Sequence, residues 1–310
     1  MPRNASTRPG YPAAVVERTL DLLDDVLRRR RRRPLVVGLS GLQGSGKSTF
    51  AAQLARAASA RGRDALVLSL DDFYLGRRER LRLARDVHPL LATRGVPGTH
   101  DVDLLLDTLA ALGRASARAP VALPRFDKGR DTRMPPSRWR RVTAAPALVV
   151  LEGWCIGVPR EPAARLRVPV NALERDEDRD ARWRRWVDAQ LGGGYARLDA
   201  RLDALVLLEA PSFAVVERWR DEQERALRRR GAVRAMDLTA LRRFLMHYER
   251  LSRYALVALP RRADLRVILD ERRAVRRIAR GRAHRRAAQP SCTARRITPA
   301  NCSTLSGLVR

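Results

Sequence analysis

Long apolar runs are missing from this sequence. Charges interrupt every candidate before it reaches the ~20 residues that a helix needs to cross a bilayer, which excludes a helical membrane span. Aromatic residues make up only 5% of the chain, so leucine, valine and alanine must supply most of the packing. The same scarcity leaves few stacking platforms for single-stranded nucleic acid. Cysteine is limited to Cys155, Cys292 and Cys302, an odd number without paired spacing, and no basic N-region leads into an apolar run with a cleavage site. That argues against a disulfide scaffold and predicts a soluble protein of the reducing cytosol. Lysine is the scarcest charge: Lys47 and Lys128 stand alone among 63 basic residues, the rest being arginine.

What is present is length enough for a real core, positive charge and a regular alternation of patterns. The 310 residues allow about two average domains or one large α/β domain. A net charge of +29 concentrates polyanions around the molecule. Its distribution weakens a nucleic-acid reading, because Arg28 to Arg33 close a helical pattern, where cations suit the helix dipole, and many more arginines follow Arg272.

Residues 13–27 place apolar side chains at helical spacing, and Pro34 ends that pattern. LVVGLS then reads as a strand buried on both faces, GLQGSG as a glycine loop, and STFAAQLARAASA as a helix. ALVLSL (65–70), VALPRF, ALVVLE, ALVLLE and LRVIL are further strand-like runs, separated by helical patterns such as VDLLLDTLAALGRA (102–115). Strands alternating with helices predict a doubly wound, mostly parallel sheet in three α/β/α layers. Residues 76–100 and 125–146, rich in Arg, Gly and Pro, are expected as working loops at the strand ends. From Gly281 the chain loses periodicity and acidic residues, so 281–310 is expected to be a basic disordered tail following a domain at 11–280.

Gly41, Gly46, Lys47 and Ser48 satisfy G-x-x-x-x-G-K-[ST] between a predicted strand and a predicted helix. Glycines let several N–H groups of Gly41, Leu42, Gln43, Gly44, Ser45, Gly46, Lys47, Ser48 and Thr49 face one anion at a helix N-terminus. Lys47 must be a compact charge that reaches the β- and γ-phosphates, a task for which a planar guanidinium is the wrong shape. Ser48 is expected on Mg²⁺, and the nucleotide is expected to be ATP. A phosphate loop alone does not separate kinases from other NTPases.

Two acidic positions follow strands. Asp71, in SLDDFYL, is expected to face the γ-phosphate and take the proton of an attacking hydroxyl, or to hold a magnesium-bound water. Glu152 ends an apolar strand, where an unpaired acid is costly, and is expected to serve the magnesium ion. A small hydroxylated acid needs cations for its carboxylate and acceptors for its alcohols. Arg94, His100, Asp101, Arg125, Asp127 and Lys128 offer that mixture, with Tyr74 beside Asp71. Cys155, His88 and His247 read as ordinary packed or surface side chains.

Taken in order, GLQGSGKST, SLDDFYL, RGVPGTHD, LPRFDKGRDTR, LEGWCIG, NALE, APSFAVVERWRDEQE and MHYERLSRY resemble the glycerate kinase family of P-loop kinases over roughly residues 11–280. The resemblance implies ATP-dependent phosphorylation of D-glycerate to 3-phosphoglycerate. By the same resemblance Asp71 is the general base, Glu152 the magnesium-associated acid, Pro124 to Asp127 an acceptor-binding loop, and Arg218 and Arg220 part of a lid over the phosphates. Alternatives are a kinase of another hydroxyl compound, such as a nucleoside, sugar phosphate or pantothenate-like acid, and, more distantly, a nucleic-acid-binding ATPase. Oligomeric state is not legible.

Overall fold

The computed structural model describes residues 10–28, 30, 33–229 and 236–281. Part of the arginine run, Cys292, Cys302 and the expected tail beyond Gly281 lie outside the described residues.

The first half of the chain runs α1 (Ala13–Leu27), β1 (Leu35–Gly41), α2 (Lys47–Ala60), β2 (Ala65–Ser69), α3 (Arg77–Asp86) and α4 (Val102–Leu112). Four short strands follow, β3 (Val121–Leu123), β4 (Phe126–Asp127), β5 (Thr132–Arg133) and β6 (Arg140–Val142), before the longer β7 (Leu148–Gly153). The remainder is α5 (Ala172–Glu177), α6 (Arg182–Gly192), α7 (Gly194–Arg201), β8 (Ala204–Glu209), α8 (Ala214–Arg229), α9 (Leu238–Arg262), β9 (Leu265–Leu269) and β10 (Val275–Arg280). No described helix is long and apolar enough to cross a membrane.

Six strands form one sheet in the order β10-β9-β8-β1-β7-β2. All neighbours are parallel except the edge strand β10, which runs antiparallel to β9. Alternation along the strands splits the core. Leu35, Val37 and Leu39 of β1 join Leu148 and Val150 of β7 against α1, α2 and α8, whereas Val36, Val149 and Leu151 face α4, α7 and the second half of α9. Both faces are therefore covered, which is why these strands read as unbroken apolar runs. At the entrance to the sheet, the buried Asp203 carboxylate accepts the Val36 N–H at 2.8 Å and locks β8 beside β1.

The chain leaves β1 for the β2 edge, returns to β7, and then passes to β8 on the other side of β1. The reversal opens a crevice at the carboxyl ends of the strands, where such sheets bind ligands. Register sets the depth of that crevice: Leu39 and Ser69 both stand level with Glu152.

Two expectations are corrected, and one strand was missed. VALPRF does not join the main sheet; it divides into β3, paired with β6, and β4, paired with β5. The stretch 76–100 contains helix α3, whose only buried side chain is Arg80, so no apolar stripe announced it. The arginine-rich β10 was missed for the same reason, its charges suiting a sheet edge. Arg28, at the end of α1, pairs with Asp25 at 2.6 Å.

Candidate active site

Strand β1 ends at Gly41 and α2 begins at Lys47, so the glycine loop must reverse within five residues. Gly44 and Gly46 take left-handed backbone conformations, with φ of +80° and +92°, that other residues adopt only at a cost. Lys47 folds back so that Nζ donates to the Leu42 carbonyl at 3.0 Å, and the Ser45 N–H donates to the same oxygen at 3.2 Å. Burial pushes the Lys47 pKa down, opposed by the nearby Glu152 and Asp71 carboxylates. Thr49 is half-buried one residue beyond the exposed Ser48.

Glu152, 6% exposed at the end of β7, is a hub for this loop. Its Oε1 accepts from Ser48 Oγ at 2.9 Å and from Ser69 Oγ at 2.7 Å. Two hard oxygen donors side by side beneath a phosphate loop suit Mg²⁺, which usually takes one or two protein oxygens and completes its shell with phosphates and water. No group of three or more metal-binding side chains occurs among the described residues, so a closed all-protein cage is not built here.

Asp71 lies on the 3₁₀ turn (Leu70–Phe73) directly after β2. Its Oδ2 accepts from Lys128 Nζ at 2.5 Å and its Oδ1 from Tyr74 Oη at 2.9 Å. Burial raises the pKa of this carboxyl, but the Lys128 ammonium and the hydrogen bonds outweigh it and hold Asp71 well below the usual range. Lys128, 60% exposed, is pushed up chiefly by Asp71. The neighbouring Asp72 instead accepts the Phe126 N–H at 3.3 Å and anchors β4.

His100 stacks on Tyr74 with ring centroids 4.5 Å apart. Its Nδ1 meets Tyr195 Oη at 2.5 Å, while Nε2 is buried without a hydrogen-bond partner. Burial pushes its pKa down to about 4, against the pull of Asp71, so the ring is neutral near pH 7. Arg94 is fixed by Asp131 at 2.5 Å and lies over the Phe126 ring, 5.6 Å from its centroid. Asp131 also receives the buried Arg80 at 2.6 Å. Arg80, Asp131 and Tyr195 were not singled out from the sequence; Asp131 lies within LPRFDKGRDTR, whereas no motif marks Arg80 or Tyr195.

Other expected acceptor residues are occupied elsewhere. Asp101 caps α4 through the Leu104 N–H at 3.0 Å and takes Arg133 at 3.0 Å. Asp127 Oδ1 accepts the N–H groups of Gly129 and Arg130, at 2.9 and 3.0 Å, and shapes the turn that presents Lys128. The Arg125 side chain is exposed, and its carbonyl accepts the Met134 N–H at 2.8 Å. On α8, Arg218 turns to the Glu271 carbonyl at 2.6 Å, whereas Arg220 pairs with Glu224 at 2.6 Å and its charge bears on Lys47. Two positions apart on a helix, they cannot share a face.

Cys155 is buried and its thiol pushed up by that burial. His88 accepts the Leu90 N–H at 3.3 Å, and the buried His247 lies 3.3 Å from the Arg243 carbonyl.

No family model matches the chain. An uncharacterized kinase of Schizosaccharomyces pombe is 34% identical over 259 residues, covering 78% of this chain and 90% of that protein. A chloroplastic D-glycerate 3-kinase of Arabidopsis thaliana is 32% identical over 206 residues, covering 64% of this chain but only 42% of that protein's length. Among solved structures, a D-glycerate 3-kinase from Cryptococcus neoformans superposes with a TM-score of 0.70 at 22% identity, over 86% of this chain and 99% of that one, a likeness of fold. With the phosphate loop, the strand-end acids and this sheet order in one chain, the protein belongs to the glycerate kinase family of P-loop kinases.

Proposed function

We propose that this protein is an ATP-dependent kinase that phosphorylates D-glycerate to 3-phosphoglycerate, with residues 11–280 as its kinase domain and the cytosol as its compartment. The observation that carries the reading is the placement of Asp71 at the end of β2, bonded to Lys128 and Tyr74 and close enough to Lys47 to act on its charge. The names of two relatives, both D-glycerate 3-kinases, support the choice of acceptor.

In this reading Gly41 to Thr49 grip the triphosphate and Lys47 leaves the Leu42 carbonyl to meet the β- and γ-phosphates. Ser48 and Glu152 would hold Mg²⁺, which neutralises phosphate charge when bound. Asp71 takes the proton of the acceptor hydroxyl, and Lys128 and Arg94 receive the acceptor carboxylate. The Gly98 N–H donates to Tyr195 Oη at 3.4 Å, leaving the hydroxyl proton for His100 Nδ1. The ring's own proton then sits on Nε2, ready to donate to an acceptor oxygen. Arg220 neutralises charge on the moving phosphoryl group.

The test is ADP release from Mg-ATP over a panel of acceptors, with NMR of the phosphorylated carbon. D-glycerate should give the highest kcat/KM and a product phosphorylated at C3. Faster turnover of a nucleoside, sugar phosphate or pantothenate-like acid would overturn the assignment of the acceptor.

A further inference from the structure

Two side chains far apart in sequence, both outside the phosphate-loop motif, hold successive carbonyls of that loop. Tyr11 Oη donates to the Ser45 carbonyl at 2.6 Å. Its ring meets Phe50 edge-on at 4.7 Å, and its backbone N–H and carbonyl are both bonded by the Gln53 side chain of α2, at 2.9 and 2.8 Å. Tyr11 is therefore fixed before it reaches the loop. Burial pushes its pKa up, so the phenol keeps its donor proton at neutral pH.

From the opposite end of the domain, Arg273 Nη1 donates to the Gly44 carbonyl at 3.2 Å. It stands on the turn between β9 and β10, in a left-handed conformation with φ of +69°. Its guanidinium lies over Trp219 at 5.3 Å and pairs with Glu222. Trp219 in turn abuts the loop so closely that a Cβ on Gly44 would come within 2.7 Å of it.

A trans peptide is planar, with its C=O and N–H pointing in opposite directions. Fixing the Ser45 carbonyl on Tyr11 therefore aims the Gly46 N–H the other way, and fixing the Gly44 carbonyl on Arg273 holds the Ser45 N–H on the Leu42 carbonyl, 3.2 Å away, which closes the loop. We propose that Tyr11 and Arg273 are positioning residues for nucleotide binding, tying the phosphate loop from outside so that its backbone, the Gly46 N–H included, is set before the anion arrives. Neither side chain needs to touch the nucleotide. The energy of ordering the loop is met during folding instead of on binding, which tightens the complex.

The deciding measurement, nucleotide binding to the full chain, needs no acceptor, so it stands apart from the assignment of glycerate. Calorimetric titration with Mg-ADP is compared for the wild type, Tyr11→Phe and Arg273→Met, with melting temperatures recorded without nucleotide. Tyr11→Phe keeps the ring on Phe50 and removes one O–H, and the loss of one such bond should raise Kd about 5- to 10-fold. KM for ATP should rise by a similar factor with KM for the acceptor unchanged, a split that simple destabilisation does not produce. Arg273→Lys, which keeps a donor, should recover part of the affinity lost in Arg273→Met. A Kd for Tyr11→Phe within twofold of wild type would overturn the proposal, even if Arg273→Met failed to fold.

Discussion

Lys128 closes directly on Asp71, Nζ to Oδ2 at 2.5 Å, from a loop 57 residues further along the chain. The contact holds the carboxylate ionised and makes it a weak base while the pair persists. In the proposed reaction an acceptor carrying its own carboxylate would compete for the ammonium and release Asp71 next to its hydroxyl. Lys128→Met should therefore lower kcat/KM for D-glycerate by about 10- to 100-fold while leaving a neutral alcohol such as glycerol little affected. Removing the cation raises the Asp71 pKa, so the acidic limb of the pH profile should move to higher pH. An equal loss for both acceptors would refute the competition.

Asp71→Asn keeps the shape and an oxygen for the Tyr74 contact but removes the proposed base. Turnover should fall by about 10²- to 10⁴-fold, with Mg-ADP affinity within twofold of wild type. Single-turnover rates beside calorimetric Kd values separate the two quantities.

Ser48 and Glu152 share one hydrogen bond, at 2.9 Å, in the place suited to magnesium. Ser48→Ala and Glu152→Gln should each raise the Mg²⁺ concentration for half-maximal rate, by about tenfold. A magnesium titration at fixed, saturating ATP measures this, and unchanged midpoints would remove both residues from that role.

His100 gives stability a pH dependence with a definite sign. Its folded pKa of about 4 lies below the ordinary value of 6.5, so on acidification the unfolded chain takes the proton first. The contribution is complete above pH 6.5 and fades as pH falls toward 4, by at most about 3 kcal/mol. His100→Gln should flatten the fall in melting temperature across that window relative to wild type.

Arg250 reaches from α9 to α5 and donates to both oxygens of the fully buried Glu174, each at 2.7 Å. Arg250→Met should cost about 3–5 kcal/mol, since it strands a buried carboxylate. Pairing it with Glu174→Gln should restore much of the loss. Chemical denaturation of the two variants checks both statements.

Glu174 and Arg250 also show how far the sequence reaches. NALE and MHYERLSRY stood out as fragments of a family pattern, and only the fold shows that they meet as one buried ion pair. The phosphate loop was legible outright, because its glycines, lysine and serine act through local backbone geometry. The long strands were legible too, since covering both faces of a sheet demands unbroken apolar runs. VALPRF was misplaced because a short apolar run carries no record of its partner strand. Helix α3 was invisible because its inward side chain is an arginine neutralised by Asp131, far along the chain.

By itself, then, the sequence determined the strand and helix alternation, the nucleotide cradle and the set of acidic and basic residues from which a site could be made, all of them encoded by neighbours along the chain. Only the tertiary structure decided which partners those residues meet: Asp71 takes Lys128 and Tyr74 while Asp72, Asp101 and Asp127 accept backbone N–H groups, and the charge of Arg220 bears on Lys47 while Arg218 donates to the Glu271 carbonyl. A carboxylate's role depends on which donors the fold brings within 3 Å of it, and those donors are set by sheet order and register rather than by the residues on either side.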